Sequence, residues 1–400
     1  MSTGVLLNSA LAMNAQSHAM GQISANIANI NTVGYKRAET NFSTLLSFGS
    51  TSSTSGSFSA GAWDRRLVSG AGALTPTGRT YDVALSGDGF FVVSDAGSNQ
   101  TYYTRAGSFS TILPPSGRAE DGAYLGTGQG MYVMGSTWNP AAQTWSGIGH
   151  LRLDDKATLA GQPTTRLSVV GNVEAGAELP QSLGVTVYSP DFQSHGVRLH
   201  FEPSDVAGVW NTRVSAEGGT ASGMPAQVRF NAEGRLVEPA GEISLNFAWD
   251  SGGASAVRLD PSTITQLAGA TAVVGFDQDG CSTAPLVSAH WEGNGVLWGT
   301  YGNGRAVPLV KLAVAQAASP DLMEAVSDTL FAYQREAGAL ELLDLETDPR
   351  GALVTGEALE ASNVDVAQEF SRMIITQRAY SGAATVFRTG DEMLQTLTQL

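Results

Sequence analysis

The first 35 residues of this 400-residue chain contain no Asp, Glu, Lys or Arg, and that absence limits what they can fold into. A solvated helix face normally carries charges. The segment nevertheless has a helical period, because Leu6, Met13, Met20 and Ile27 recur every seven positions, with Ala10 and Ile23 beside the stripe. No proline interrupts it before Pro76. A helix whose second face is Ser, Asn, Gln and Ala is suited to touch other protein on that face too. Such a surface is poorly covered in a monomer and buried in an assembly.

The helix is expected to end within "SANIANINTVGYKR", Ser24 to Arg37. Asparagine forms helix weakly but tolerates the left-handed backbone and bonds nearby backbone groups, so Asn29 and Asn31 suit the end. Gly34 then permits a sharp departure. Lys36 and Arg37, the first formal charges, lie where a helix macrodipole favours cations.

The far end repeats the texture. From about Val364 to Leu400, Met373, Tyr380, Phe387 and Leu394 are again spaced by seven, flanked by Phe370, Ile374 and Leu397. Heptads at both ends imply that the chain leaves the middle region and returns, so the ends can pair as an intramolecular coiled coil. Two ordinary amphipathic helices packed on a β-domain give the same periodicity.

Between the ends, period-two or short apolar runs bounded by Gly, Asn, Asp and Pro dominate, as in "GVTVYS", "GVRLHFE" and "ISLNFAW". Glycine supplies 47 of 400 residues, about 12% against about 7% in average usage, which favours many tight turns. The motifs "SGDG", "NAEG" and "GNG" read as hairpin-type turns. A patch near "LELLDLE" is ambiguous between helix and strand. "SFGSTSSTSGSFSAG", Ser47 to Gly61, reads as a flexible connector, and "TDPRGALVTGEALEASN" as a milder join. The fold class is therefore mainly β, with barrel or sandwich-like middle domains and helical termini. At 400 residues more than one domain is expected.

Composition and motifs exclude more than they include. The formal charge is 22 minus 37, or −15, with no basic patch, which disfavours nucleic-acid binding. Cys281 stands alone, so no internal disulfide forms. No apolar run approaches the ~20 residues needed to span a bilayer, and the N-terminus lacks the basic start of a cleaved secretory signal. No nucleophile elbow, P-loop or zincin motif is present. His18, His150, His195, His200 and His290 are scattered, and the odd spacing of His195 and His200 in a strand-like run sends them to opposite sheet faces. "GFDQDGCSTAPL" fails as a calcium loop, with Gly275 at the first ligand position and Leu286 where a bidentate Glu belongs. No catalytic, cofactor or metal residues are assigned, and the chain is read as a non-enzyme.

The two ends resemble the signatures of the bacterial flagellar rod and hook protein family. "ANIANINTVGYKR" resembles the N-terminal one, at Asn26, Asn29, Asn31, Gly34 and Tyr35. "LEASNVDVAQEFSRMIITQRAYSGAATVFRTGDEMLQTL" resembles the C-terminal one, at Ala361, Ser362, Asn363, Val364, Asp365, Gln377 and Arg378. "TGRTYDVALSGDGFFVV" followed by "YYTRAGSFS" looks like the family's first β-domain. "TTRLSVVGNV", "VRFNAEGRLVEPAGEISLNFAW" and "VSAHWEGNGVLWGTYGNGRAVPLVKLAVAQ" are similar to central blocks of its hook branch. The chain departs at Val33, where many relatives have Pro, and at "VYSPDFQ", where the hook branch usually has "VYDSLGN".

The resemblance implies a structural subunit of the flagellar hook, exported unfolded through the type III export apparatus without signal cleavage and polymerising into a curved tube outside the cell. That tube acts as a universal joint between rod and filament. Its partners are other copies of the chain, a hook cap protein, the distal rod protein and the hook-filament junction proteins, with no nucleic acid and no membrane insertion. Leu6, Met13, Met20, Ile27, Phe370, Met373, Tyr380, Phe387 and Leu394 become the residues of an inner coiled-coil layer. The implied organisation is an N-terminal helix over 1–30, a flexible connector over 31–70, an inner β-domain over 71–146 and 275–350, an inserted outer β-domain over 147–274, a connector over 351–363 and a C-terminal helix over 364–400. A distal rod protein with an enlarged middle, or a secreted binding module with flagellar-type ends, are the alternatives.

Overall fold

The computed structural model describes residues 2–46, 58–95, 97–98, 100–114, 122–140, 142–153, 156–347 and 352–398. Both expected helices form: α1 spans Ser2–Ala28 and α2 spans Val366–Thr398. The Ala, Leu, Met and Gln content of α1 favours helix, with Gly4 and Gly21 as its weak points. The start of α2 is fixed by Asp365, whose carboxylate accepts the backbone N–H of Ala367 at 2.8 Å and of Gln368 at 3.2 Å. The helices pack against each other and run antiparallel. Gly390 of α2 lies against Leu6 and Val5 at one end, and Asn26 bonds Glu369 at the other. Neither helix is long and apolar enough to cross a membrane.

The expected connector over 31–70 is not a loop where it is described. It holds two nine-residue strands, β1 (Ala38–Leu46) and β2 (Phe58–Arg66), paired antiparallel from Ala38↔Arg66 to Leu46↔Phe58. The low-complexity run at its centre, 47–57, lies outside the described residues. Both strands contact α1, and His18 of α1 meets the Asp64 carboxylate at 2.8 Å. Thr, Phe, Trp and charged residues flanking the Ser-rich run make a ladder that composition alone conceals.

The molecule divides into two compact units, the first comprising Met1–Asp155, Ser288–Gly299 and Ala306–Leu400, the second Lys156–Val287 and Thr300–Arg305. In unit 1 the buried strand Phe90–Ser94 pairs with Thr101–Thr104, Tyr132–Asn139 and Val314–Ala317. Phe90, Val92, Tyr103, Ala315, Met323 and Phe331 form its core. The expected connector over 351–363 is woven into this unit, since Leu353–Gly356 pairs with Val83–Ser86 and Ala358–Glu360 with Leu74–Pro76. "LELLDLE" resolves as strand, Leu340–Leu343.

"SGDG" is not a hairpin turn. Gly87 and Gly89 do take positive φ, 89° and 137°, but the flanking strands Val83–Ser86 and Phe90–Ser94 find other partners. "NAEG" does close a hairpin between Gln227–Phe230 and Leu236–Glu238, and "GNG" turns the chain through Gly304 N–H to Tyr301 O at 2.8 Å.

Unit 2 is an antiparallel-rich β-domain. Its strands run in the order Gln181–Tyr188, Ser194–Pro203, Val209–Ala216, Gly219–Ser222, Ile243–Trp249, Ala254–Asp260, Arg166–Glu174 and Ile264–Leu267. Strict alternation along Ile243–Trp249 turns Ile243, Leu245, Phe247 and Trp249 inward. The same alternation puts His195 on the side of buried Val197 and His200 on the opposite face. Asp279, in the sequence that superficially matched a calcium loop, accepts the backbone N–H groups of Thr165 and Arg166 at 2.8 and 3.0 Å.

Candidate assembly site at the joined chain ends

A buried polar clamp ties the exit of α1 to the entry of α2. After Ala28 the chain makes a tight turn in which Asn29 accepts the Thr32 hydroxyl at 2.9 Å and donates to Ala25 O at 3.1 Å. Gly34 then takes φ 68° and lies so close to the 105–106 backbone that a Cβ would approach Ala106 N to 2.5 Å. Its own N–H reaches Glu360 O at 2.8 Å. Only glycine satisfies both the left-handed backbone and this contact.

Asn26, expected near the helix end, is buried inside the clamp. Its amide donates to Ala38 O at 2.8 Å and to Glu369 at 3.0 Å, while its carbonyl accepts Ala38 N–H at 2.9 Å and the Tyr35 hydroxyl at 3.1 Å. One side chain thus joins α1, β1 and α2. Asn363 acts similarly, accepting Arg37 N–H at 2.7 Å and donating to Leu67 O and Gly70 O at 3.1 and 3.0 Å.

The charges of the clamp come from opposite ends of the sequence. Lys36 Nζ lies 2.7 Å from Glu360, and both side chains are 1% exposed. Arg105 approaches the same carboxylate at 3.6 Å, which also accepts Gly72 N–H at 2.8 Å. Burial pushes the Lys36 ammonium below its usual range and Glu360 opposes that shift. Arg37 meets buried Glu369 at 3.7 Å and Glu39 at 3.6 Å, and Arg372 of α2 meets Glu39 at 2.9 Å. Arg66 lies over the Tyr35 ring at 5.2 Å. Burial raises the Tyr35 phenol, with Arg66 opposing. The cations at 36 and 37 therefore face carboxylates, at 2.7 Å for Lys36 and 3.6–3.7 Å for Arg37, rather than the open end of the α1 dipole.

Along the helices the heptad positions divide. Leu6, Met13, Met20, Ile27, Met373 and Leu394 are half-buried. Phe370, Tyr380 and Phe387 remain 50%, 38% and 38% exposed. The most buried side chains are Ser9, Ala15, Ala19, Ile23 and Asn26 on α1 and Glu369 and Thr376 on α2. Ala19, Ile23, Glu369 and Thr376 line the junction of the helices with β1, around a cavity of about 180 Å³. One partner covers only one arc of a helix, so α2 keeps a second apolar stripe in the open. Ile375, Val386 and Met393 are 50–68% exposed, roughly a quarter of a turn from the buried stripe.

The remaining motif positions have separate places. Ala361 donates its N–H to Ala73 O at 2.8 Å, Ser362 accepts Val364 N–H at 3.3 Å and Val364 is buried. Asn31, Gln377 and Arg378 are exposed. Sequence reasoning missed Glu360, Glu369 and Arg105, whose partners are distant along the chain. The first two charges after an uncharged segment were the available signal. Among the described residues no group of His, Cys, Asp or Glu is placed to hold a metal ion.

Comparison with known proteins agrees with this geometry at both ends and along the whole chain. The family model for flagella basal body rod protein matches residues 6–36, that for the flagellar hook protein FlgE/F/G D1 domain matches 84–159, and that for the flagellar basal body rod FlgEFG protein C-terminal region matches 355–400. The flagellar hook protein FlgE of Brucella abortus is 30% identical over 408 residues, covering 99% of this chain and 98% of its own. That of Rhizobium meliloti is 29% identical over 416 residues with the same coverage, and that of Escherichia coli is 27% identical over 410 residues, covering 97% and 98%. The crystal structure of Helicobacter pylori flagellar hook protein FlgE2 is similar in fold, with a TM-score of 0.54 at 12% identity over 72% of this chain and 100% of that one.

Proposed function

Because the chain belongs to the flagellar hook protein family and is a structural subunit of the bacterial flagellar hook, we propose that its joined ends form the inner layer of a curved tube that transmits torque from rod to filament. The observation that carries this reading is the uncovered apolar stripe of α2, Ile375, Val386 and Met393, together with exposed Phe370, Tyr380 and Phe387. A helix pair clamped at one end and apolar on its open sides suits repeated lateral contact with other copies. Growth into a tube requires a head-to-tail contact that does not close into a ring.

In this reading unit 1 without its helices serves as the inner β-domain, and unit 2, Lys156–Val287 with Thr300–Arg305, serves as the inserted outer domain expected near 147–274. The subunit acts structurally rather than catalytically. Its further partners are the hook cap protein, the distal rod protein, the hook-filament junction proteins and the type III export apparatus, through which it passes without signal cleavage.

Electron microscopy of basal bodies from cells lacking this gene tests the reading. Complete rods without hooks are expected. Truncated rods would move the chain to the distal rod, and intact flagella would overturn the assignment.

A further inference from the structure

The sequence "VYSPDFQ", Val187 to Gln193, departs from the hook-branch "VYDSLGN" in part by placing Phe192 where glycine is usual. The backbone there keeps a glycine's shape. Phe192 takes φ 64°, and of the three non-glycine residues with positive φ among the described ones, Gln143, Phe192 and Glu357, it alone is aromatic. A bulky side chain in that region is strained and persists only where its surroundings hold it.

Those surroundings are the segment by which the chain enters unit 2. The turn is closed by Phe192 N–H to Ser189 O at 2.8 Å and Ser189 N–H to Gln193 O at 3.0 Å. Its base is fastened to Thr164, whose N–H reaches Tyr188 O at 2.9 Å and whose hydroxyl accepts Tyr188 N–H at 2.8 Å. From there the Phe192 side chain reaches back onto Gly161, so closely that a Cβ at 161 would come within 2.3 Å of Phe192 Cβ and Cγ. The turn grips the entering segment at two points, Gly161 and Thr164.

Beneath this grip the ladder is thin. Thr158 and Leu159 of the entering segment form a two-residue edge strand on Pro285 and Ala284 of the departing one, and Gln162 and Cys281 exchange backbone hydrogen bonds at 2.9 and 2.8 Å. Gly161 N–H goes to the Thr283 hydroxyl at 3.2 Å, and Pro285 has no N–H to give. An edge held by so few bonds opens readily by itself. Cys281, the only cysteine of the chain, is buried there at 4% exposure.

We propose that Phe192 is a wedge that holds the entering segment 158–164 closed on the departing segment 281–285, and that this packing maintains its strained backbone. Without the ring, the ladder opens locally while the sheet of unit 2 stays folded. The inference concerns unit 2 alone and does not depend on the hook assignment.

Hydrogen exchange of the full-length monomer, followed amide by amide, tests the wedge, with Phe192→Gly removing ring and strain together. The Gln162 and Cys281 amides should exchange at least about tenfold faster than in the wild type, and iodoacetamide should modify Cys281 faster in step. The Leu199 and Phe247 amides, on strands paired on both sides, should keep their rates. Gly161→Ala displaces the ring from the other side, so it should open the same two amides by itself and add nothing to Phe192→Gly. Unchanged exchange at Gln162 and Cys281 in either single variant, or additive effects in the double variant, would overturn the wedge. Equal acceleration at Leu199 and Phe247 would make Phe192 an ordinary core residue and overturn it as well.

Discussion

Gly34 concentrates the residue-scale logic of the joined ends. Its φ of 68° and the 2.5 Å approach to Ala106 N are separate demands. Gly78 shares the first without the second, having φ 68° and open space around its Cβ position. Gly78→Ala should therefore cost about 1 kcal/mol in backbone strain alone, and Gly34→Ala at least about 1 kcal/mol more, from displaced neighbours. Urea unfolding of both variants checks this, and equal losses would mean that the 105–106 backbone yields without strain. The neighbouring Lys36 and Glu360 illustrate why one-sided substitutions in such clamps are severe. Removing either leaves the other charge buried without its main partner, a loss of about 3–5 kcal/mol in comparable sites.

At the scale of elements, α1 and α2 have unequal roles. The uncharged α1 is wedged between α2 and the β1–β2 hairpin, whereas α2 keeps apolar side chains in the open on two sides. Phe387 lies in line with the buried stripe yet remains 38% exposed, which suits a residue that completes its burial against another copy. Phe387→Asp should raise the concentration needed for polymerisation at least tenfold, about 1.4 kcal/mol, while the melting of the β-structure stays unchanged. Sedimentation of polymer and circular dichroism of the monomer measure the two effects. Normal assembly would remove Phe387 from the interface. Heptad spacing was enough to find both helices, because period seven with no interior proline has few other outcomes. It could not say which heptad positions one partner covers, since that depends on crossing geometry and on the hairpin.

For the whole molecule, two compact units imply two cores. The core of unit 2 draws on Leu167, Val185, Leu199, Phe247 and Leu259 and that of unit 1 on Phe90, Tyr103, Met323 and Phe331. Because each unit is built largely on its own contacts, calorimetry of the monomer should resolve two unfolding transitions. Replacing Lys156–Val287 by a short linker should remove one of them and leave the other in place. A single cooperative transition lost entirely on excision would show that the units fold as one.

Local patterning alone determined the helices at both ends and the β-rich middle, because heptad and period-two alternation are read within a few residues of one another. It misjudged the 31–70 connector, where a Ser-rich run hid the flanking strands β1 and β2, and "SGDG", whose glycines turn the chain without pairing its neighbours. Tertiary structure alone decided the clamp. Lys36 and Glu360 lie 324 positions apart, and Asn26 and Glu369 lie 343 apart. No local pattern links such residues, and only the return of the chain to its starting point brings the Lys36 ammonium and the Asn26 amide within hydrogen-bonding distance of these buried carboxylates.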